Sequence, residues 1–115
     1  MGKLAFVFPG QGSQYVGMGQ ELFQTPLGEQ TRETAREILG SELIALIEKG
    51  PEEELQKTAN TQPGILLVSV AAWQQLRAAG IEPDYVAGHS LGEYSAHVAA
   101  GSLEFADALR VVRSR

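Results

Sequence analysis

The stretch GHSLGEYSA, residues 88–96, constrains the fold more than any other part of the chain. Ser90 stands between Gly88 and Gly92 in the arrangement G-x-S-x-G, which is typical of a nucleophile elbow, a sharp turn from a β-strand into an α-helix. The apolar residues 85–87 predict a strand before this turn, and the small side chains of residues 91–100 predict a slim helix after it. The motif therefore predicts an α/β protein that carries Ser90 on the turn.

Two interpretations of Ser90 remain open at this point. As a nucleophile, the serine needs a base to take its proton and hydrogen-bond donors to hold the oxyanion that its attack creates. The backbone N–H of Leu91, at the start of the helix, is one such donor. As a structural residue, Ser90 would cap the helix, which serine favours, and the two glycines would be turn residues. The flanking strand and helix favour the nucleophile.

A second glycine-rich loop, PGQGSQ at residues 9–14, follows the apolar run of residues 4–8, which predicts a buried strand. Neither nucleotide-binding motif fits this loop. A dinucleotide fingerprint needs glycine where Tyr15 stands, and a P-loop needs lysine where Met18 stands. The loop is then either a plain turn or a second source of backbone donors beside the elbow, with Gln11 as the donor residue.

Most of the remaining chain is predicted to be helical from apolar spacing and capping residues. The predicted helices are residues 31–49 with a break at Gly40, a segment after Pro51, residues 64–79 with 61–63 as their start, and residues 104–115 with Ser102 or Leu103 near the cap; another could begin within residues 15–23. This order predicts an α/β fold with a parallel sheet. Because two strands are not a self-supporting sheet, we expect the chain to be part of a longer protein.

Composition disfavours several classes of function. The length of 115 residues allows one small domain, and the net charge of -5 disfavours nucleic acid and anionic membranes as partners. The chain has no cysteine, and its two histidines lack the H-x-x-x-H spacing, so no metal site is predicted. The apolar run near the start is too short for a signal peptide or a membrane span. The sequence predicts a soluble, cytoplasmic protein.

Three motifs together carry a family resemblance: FVFPGQGSQ at residues 6–14, TQP at residues 61–63 and GHSLGEYSA at residues 88–96. In this order and spacing the whole chain resembles the start of the malonyl-CoA:acyl carrier protein transacylases, and the acyltransferase domains of fatty-acid and polyketide synthases are similar. The resemblance implies that residues 1–115 are the N-terminal segment of a large α/β-hydrolase-like subdomain. It also implies that the family's ferredoxin-like small subdomain is absent from this chain.

The resemblance further implies an activity. Ser90 would attack the thioester of malonyl-CoA and become a malonyl ester, while the backbone N–H groups of Gln11 and Leu91 hold the oxyanion. Coenzyme A would leave, and the phosphopantetheine thiol of acyl carrier protein would take the malonyl group in a ping-pong cycle. No cofactor is expected besides these substrates and products, and the full-length protein is expected to be a monomer.

A substrate site is implied as well. Gln62, Gly10 and His89 are expected to line it, and leucine at position 91 goes with malonyl rather than methylmalonyl. Arg115 falls at the position of an arginine that binds the malonyl carboxylate, and a guanidinium suits this role because it can donate two parallel hydrogen bonds. Taken alone, Arg115 fits better as a solvated helix residue. The resemblance favours the binding role.

The catalytic base is not expected within this chain. The family's catalytic histidine lies beyond residue 115, and His89, directly before the nucleophile, does not face the hydroxyl. We therefore predict that residues 1–115 alone are inactive. Two other functions remain open: a serine hydrolase or thioesterase that uses the same elbow, and a non-catalytic module that binds a carrier protein. Arg110 and Arg113 could help to dock an acidic carrier protein or only complement the helix dipole.

Overall fold

The computed structural model describes residues 2–114. Its elements are strand β1 (Ala5–Phe8), a 3-10 turn (Leu22–Gln24), helices α1 (Pro26–Leu39), α2 (Ser41–Lys49), α3 (Glu52–Leu55) and α4 (Thr58–Ala78), strand β2 (Tyr85–Gly88), and helices α5 (Gly92–Ala100) and α6 (Phe105–Ser114). This mixture of helices with a small parallel sheet confirms the predicted α/β class. Within the same residues, no helix combines the length and the apolar character that crossing a lipid bilayer requires.

The two strands lie side by side and run parallel, with Ala5 opposite Tyr85 and Phe8 opposite Gly88. At their beginning, the carboxylate of Asp84 accepts a hydrogen bond of 2.8 Å from the backbone N–H of Leu4. Because the strands are parallel, their carboxyl ends lie at the same edge of the sheet. Both glycine-rich loops therefore leave the sheet next to each other, at the edge where α/β proteins form their sites.

One face of this sheet is covered and the other is open. Helix α5 packs against both strands, and Phe8 is buried, whereas the side chains of Val7 and Tyr85 are 75% and 60% exposed. Successive strand residues point to opposite faces, so Val7 and Tyr85 mark a face that no part of residues 2–114 covers. Each strand also has one edge without a partner strand in this part of the chain.

Helix α4 is the centre of the helical layer, because it packs against each of the other five helices. Its residues 61–67 are all buried, which confirms the prediction of a central helix that is apolar nearly all round. The buried apolar side chains that surround it come from most of the chain: Met18, Phe23, Ala35, Leu43, Ile44, Ile47, Leu55, Leu91, Val98, Ala108, Leu109 and Val112. Fully burying a valine, leucine, isoleucine, phenylalanine or methionine side chain contributes about 1.5–3 kcal/mol.

The predicted start of α4 was wrong. The helix begins at Thr58 rather than at residue 64, and Pro63 lies inside it. A proline in a helix lacks the N–H that would bond to the carbonyl four residues earlier, here that of Ala59. This carbonyl instead accepts a hydrogen bond of 2.6 Å from Nη1 of Arg113 on α6. The hydrogen bond from Arg113, a residue far away in the sequence, thus compensates for the helix hydrogen bond that Pro63 removes.

Two other helix predictions need correction. Residues 15–23 form turns that end in the 3-10 turn, because Gly17 and Gly19 have φ values of 86° and 74°, which an α-helix does not allow. Helix α1 begins at Pro26, five residues before the predicted start. Thr25 caps it, since its Oγ1 accepts a hydrogen bond of 3.0 Å from the N–H of Gly28.

The remaining helix boundaries agree with the sequence to within a few residues. Gly40 separates α1 from α2, and Pro51 directly precedes α3, as predicted. Helix α6 begins at Phe105, shortly after Ser102 and Leu103, which were predicted to lie near its cap, and Oγ of Ser102 lies 2.9 Å from Nδ1 of His97 on α5. The predicted final residue of this helix, Arg115, lies outside the described residues.

Candidate active site

Ser90 has the backbone geometry of a nucleophile elbow. Its φ is 54°, and no other residue of 2–114 apart from glycine has a positive φ. Holding a residue other than glycine in this region costs on the order of 1–3 kcal/mol, so the surrounding structure must enforce it. The side chain is exposed at the carboxyl end of β2, and its hydroxyl bonds no group within residues 2–114. A free, exposed hydroxyl on a strained turn is the arrangement that a nucleophile needs.

The two glycines of the motif allow the chain to cross itself closely. A methyl group at Gly88 would lie 2.0 Å from the carbonyl carbon and oxygen of Gly92. A methyl group at Gly92 would lie 2.2 Å from the carbonyl oxygen of Phe8 at the end of β1. Any side chain at either position would therefore push helix α5 away from the sheet.

The structure argues against Ser90 as a helix cap. Helix α5 begins at Gly92, its N-cap is Leu91, and the cap makes no side-chain hydrogen bond to the helix. The small residues predicted to keep this helix slim do so, because Ser95 and Ala96 are both buried where α5 meets the rest of the molecule.

The loop after β1 lies directly against the elbow. A methyl group at Gly10 would come within 2.5 Å of the carbonyl oxygen of His89, so only glycine fits there. The N–H of His89 in turn donates a hydrogen bond of 3.3 Å to the carbonyl of Phe8. The structure thus brings together Gly10, His89 and Ser90, three of the residues that the sequence assigned to the site.

Polar side chains hold this loop against the start of the helical layer. The hydroxyl of Ser13 donates to the carbonyl of Gly10 at 3.0 Å, and the side chain of Gln14 bonds to that of Gln56. The N–H of Val16 donates to Oε2 of Glu52 at 3.1 Å. The loop and the residues directly after it are therefore hydrogen-bonded to α3 and to its C-terminal end. A plain turn does not require these additional contacts.

The site contains backbone donors with no acceptor of their own. Within residues 2–114, neither the N–H of Gln11 nor that of Leu91 donates a hydrogen bond to another group of the chain. Both belong to loops at the carboxyl ends of neighbouring strands: Leu91 directly follows Ser90, and Gln11 directly follows Gly10, which lies against the carbonyl of His89. Free N–H groups at such a place can hold a developing negative charge on a substrate oxygen.

Gln62 reaches the same loop from α4. Its side chain is buried, and its Nε2 lies 3.4 Å from Oε1 of Gln11. The other end of the Gln11 amide donates a hydrogen bond of 3.0 Å from Nε2 to Oγ1 of Thr58. The family resemblance had singled out Gln62, whereas Thr58 was not singled out, because it lies before residues 61–63, which were expected to start the helix.

No base accompanies Ser90 in this part of the chain. His89 is exposed, His97 contacts Ser102, and no histidine of residues 2–114 bonds to the Ser90 hydroxyl. The same range contains no cluster of three or more histidine, aspartate and glutamate side chains that could hold a metal ion. Arg115, predicted to bind a substrate carboxylate, lies outside the described residues.

The two arginines considered for docking differ in their surroundings. Arg110 is exposed and pairs with Asp107 on its own helix at 3.1 Å. Arg113 is occupied by the start of α4, where it donates to the carbonyl of Ala59 at 2.6 Å and to Oδ1 of Asn60 at 3.2 Å. Of the pair, only Arg110 makes no hydrogen bond or ion pair to another element within residues 2–114.

Comparison with known proteins assigns the chain to a family. A family model for the acyl transferase domain matches residues 5–115, so the chain belongs to the acyl transferase domain family. Over its whole length it is 52% identical to a malonyl CoA-acyl carrier protein transacylase of Bacillus subtilis strain 168, of which it covers 37%.

Solved structures agree with this assignment. An acyl carrier protein S-malonyltransferase from Vibrio cholerae matches with a TM-score of 0.90 at 49% identity, over 97% of this chain and 37% of that one. A chain in a solved complex of a type II PKS acyl-carrier protein with its malonyl-transacylase matches with a TM-score of 0.91 at 50% identity. The match covers 98% of this chain and 37% of the matched chain. The chain thus spans little more than a third of the length of these relatives.

Proposed function

We propose that this chain is the N-terminal part of a malonyl-CoA:acyl carrier protein transacylase and that Ser90 is its nucleophile. The observation that carries the proposal is the exposed Ser90 hydroxyl at a φ of 54°, on the same edge of the sheet as the unpaired N–H groups of Gln11 and Leu91. The names of the relatives supply the substrate, since at about half identity they are malonyl transacylases. The activity and the substrates belong to the whole protein, of which these residues hold the nucleophile and the oxyanion donors.

The first half-reaction forms a malonyl ester. Oγ of Ser90 attacks the thioester carbonyl of malonyl-CoA, and the N–H groups of Gln11 and Leu91 hold the resulting oxyanion. The C–S bond then breaks, and the proton of the hydroxyl passes through a base to the departing coenzyme A sulfur. This base is a histidine expected beyond residue 115.

The second half-reaction reverses these steps with a different thiol. The phosphopantetheine thiol of acyl carrier protein attacks the ester, its proton returns to Oγ of Ser90, and the malonyl group leaves on the new sulfur. The same two N–H groups hold the second oxyanion. No redox step or added group is needed, so the only small molecules involved are malonyl-CoA and coenzyme A.

The substrate site is proposed around the same loops. Gly10 and His89 form its floor where the two loops touch, and Gln62 lines it from α4. Arg115 would bind the malonyl carboxylate with two parallel hydrogen bonds and so fix the orientation of the substrate. Leucine directly after the nucleophile goes with malonyl rather than methylmalonyl in the family that the chain resembles, so malonyl is the proposed acyl group.

We further propose that residues 1–115 are the first segment of a large α/β-hydrolase-like subdomain and that a ferredoxin-like small subdomain lies elsewhere in the protein. The open face and the free edges of the two-stranded sheet support this, because a sheet of two strands does not form a stable domain by itself. Carrier-protein docking near Arg110, a cytoplasmic location and a monomeric state stay predictions.

The proposal is tested by malonyl transfer in the full-length protein. We expect transfer from malonyl-CoA to the holo-carrier protein, and a loss of at least roughly 10⁴-fold in the Ser90→Ala variant, since the ester cannot form. Ser41→Ala is the matched control, because Ser41 is exposed at the start of α2, away from the elbow. Release of free malonate without the carrier protein would indicate a hydrolase, and unchanged transfer by Ser90→Ala would exclude Ser90 as nucleophile.

A further inference from the structure

The side chain of Gln11 has no part in the chemistry proposed above, yet both ends of its amide are bound. Nε2 donates to Oγ1 of Thr58 at 3.0 Å, and Oε1 lies 3.4 Å from Nε2 of Gln62. Both partners stand on the first turns of α4. The contact with Gln62 satisfies a buried amide, but the contact with Thr58 is exposed and adds little to stability, so it calls for another explanation.

Gly10 precedes Gln11 and Gly12 follows it with a φ of 116°, and glycine has more conformational freedom than any other residue. The peptide that carries the N–H of Gln11 is held at its carbonyl end, where Gly10 accepts from the Ser13 hydroxyl at 3.0 Å. The Gln11 side chain adds a second hold, from α4, on the other side of this N–H. An oxyanion donor works only when it is already aimed at the place where the charge develops.

The anchor on α4 is itself held in place. Pro63 leaves the carbonyl of Ala59 without a helical donor, and Nη1 of Arg113 bonds to it at 2.6 Å. Asn60 accepts from the same nitrogen at 3.2 Å and donates from Nδ2 to the carbonyl of Glu54 at 2.9 Å. The turn that carries Thr58 is therefore bound to α3 on one side and to α6 on the other.

We propose that Thr58 is a positioning residue for the oxyanion hole: its hydroxyl holds the side-chain amide of Gln11 and so aims the backbone N–H of Gln11 at the reacting carbonyl. The inference rests on the proposed function, because it assigns Thr58 a part in stabilising that oxyanion. Thr58 touches neither substrate nor nucleophile and acts only through Gln11.

The test is the single-turnover rate at which malonyl-CoA acylates the full-length protein. Thr58→Val keeps the shape of the side chain and removes its hydroxyl, and we expect acylation about 10-fold slower, since a small misplacement of a catalytic group can cost up to about 100-fold. Binding of malonyl-CoA should change less than twofold, because the lost interaction is made only in the transition state. Thr58→Ser, which keeps the hydroxyl, should restore most of the rate.

A matched control removes the same hydroxyl elsewhere. Thr34 is a half-buried helical threonine on α1, and its hydroxyl bonds only to the carbonyl of Gln30 at 3.2 Å. Thr34→Val should acylate at the parental rate. Since neither Thr34 nor Thr58 is fully buried, both valine variants should melt at nearly the parental temperature.

A double-mutant cycle tests whether the slower acylation of Thr58→Val arises through Gln11 or from an unrelated effect of the substitution. If Thr58 acts through Gln11, Thr58→Val in a Gln11→Ala background should cause no further loss of rate, because the anchored amide is already gone. Multiplying losses, or a parental rate in Thr58→Val alone, would overturn the inference while leaving the proposed function intact. A full-length parent that malonyl-CoA does not acylate at all would overturn both.

Discussion

The turn at Ser90 depends on two positions where no side chain fits. We expect Gly92→Ala to destabilise the protein by about 3 kcal/mol or more, because its methyl group would lie 2.2 Å from the carbonyl oxygen of Phe8. Denaturant unfolding of the purified protein measures this change. Unfolding of the variant at the same denaturant concentration as the parent would contradict this expectation. It would mean that the close contact between Gly92 and Phe8 does not fix the elbow.

Gly101→Ala is the control for this substitution. Gly101 ends the same helix at a φ of 81°, but a methyl group there would meet nothing within 4 Å. Its cost should stay near about 1–2 kcal/mol, which is the strain of a left-handed backbone alone. The difference between the two variants isolates the effect of the close contact at Gly92.

The elbow was the part of the site most accessible from the sequence. The sharp turn requires glycines at fixed positions around Ser90, so it can be recognised as the short motif formed by Gly88, Ser90 and Gly92. The role of Thr58 could not be predicted from a motif. Its contact with Gln11 joins residues 47 positions apart, and the residues next to either one do not indicate it.

Among the helices, the start of α4 depends on a contact with α6. We expect Arg113→Ala to speed amide hydrogen exchange at Thr61 and Gln62 by about fivefold, because the Ala59 carbonyl loses its donor and one hydrogen bond contributes about 1 kcal/mol. Arg110→Ala, on the same helix, should leave these amides unchanged, since Arg110 pairs only with Asp107. Equal exchange in both variants would contradict the anchoring role of Arg113.

The errors in the predicted elements have two causes. At Pro63 a contact with a distant helix overrode a local signal, whereas at Gly17 and Gly19 the local backbone conformation decided the outcome. Pro63 was tolerated because Arg113 satisfies the carbonyl that it frees. At Gly17 and Gly19 the positive φ values prevailed over the apolar spacing that favoured a helix.

For the molecule as a whole, the open sheet predicts dependence on the rest of the protein. We expect residues 1–115, expressed alone, to bind a hydrophobic dye and to transfer no malonyl group. The apolar face marked by Val7 and Tyr85 is bare, and no base accompanies Ser90 within the described residues. The full-length protein is the control for both measurements. Malonyl transfer by residues 1–115 alone would contradict this prediction.

The α/β class and the parallel pairing of two strands followed from the sequence because strand and helix periods differ over a few residues. The bare face and the free edges of the sheet were not predicted directly, because they depend on which elements lie beside the strands. The sequence indicated them only through the small number of predicted strands. The family resemblance rested on three short motifs, and the match over residues 5–115 confirms it.

The central claim is that Ser90 becomes a malonyl ester, and an intact-mass spectrum tests it most directly. The full-length protein is incubated briefly with malonyl-CoA, without carrier protein, so that the ester cannot be passed on. We predict one malonyl adduct on the parent and none on Ser90→Ala, with peptide mapping that locates the adduct on the segment of residues 88–96. A parent without the adduct, or an adduct that persists in Ser90→Ala, would contradict the assignment of Ser90 as the acylated nucleophile.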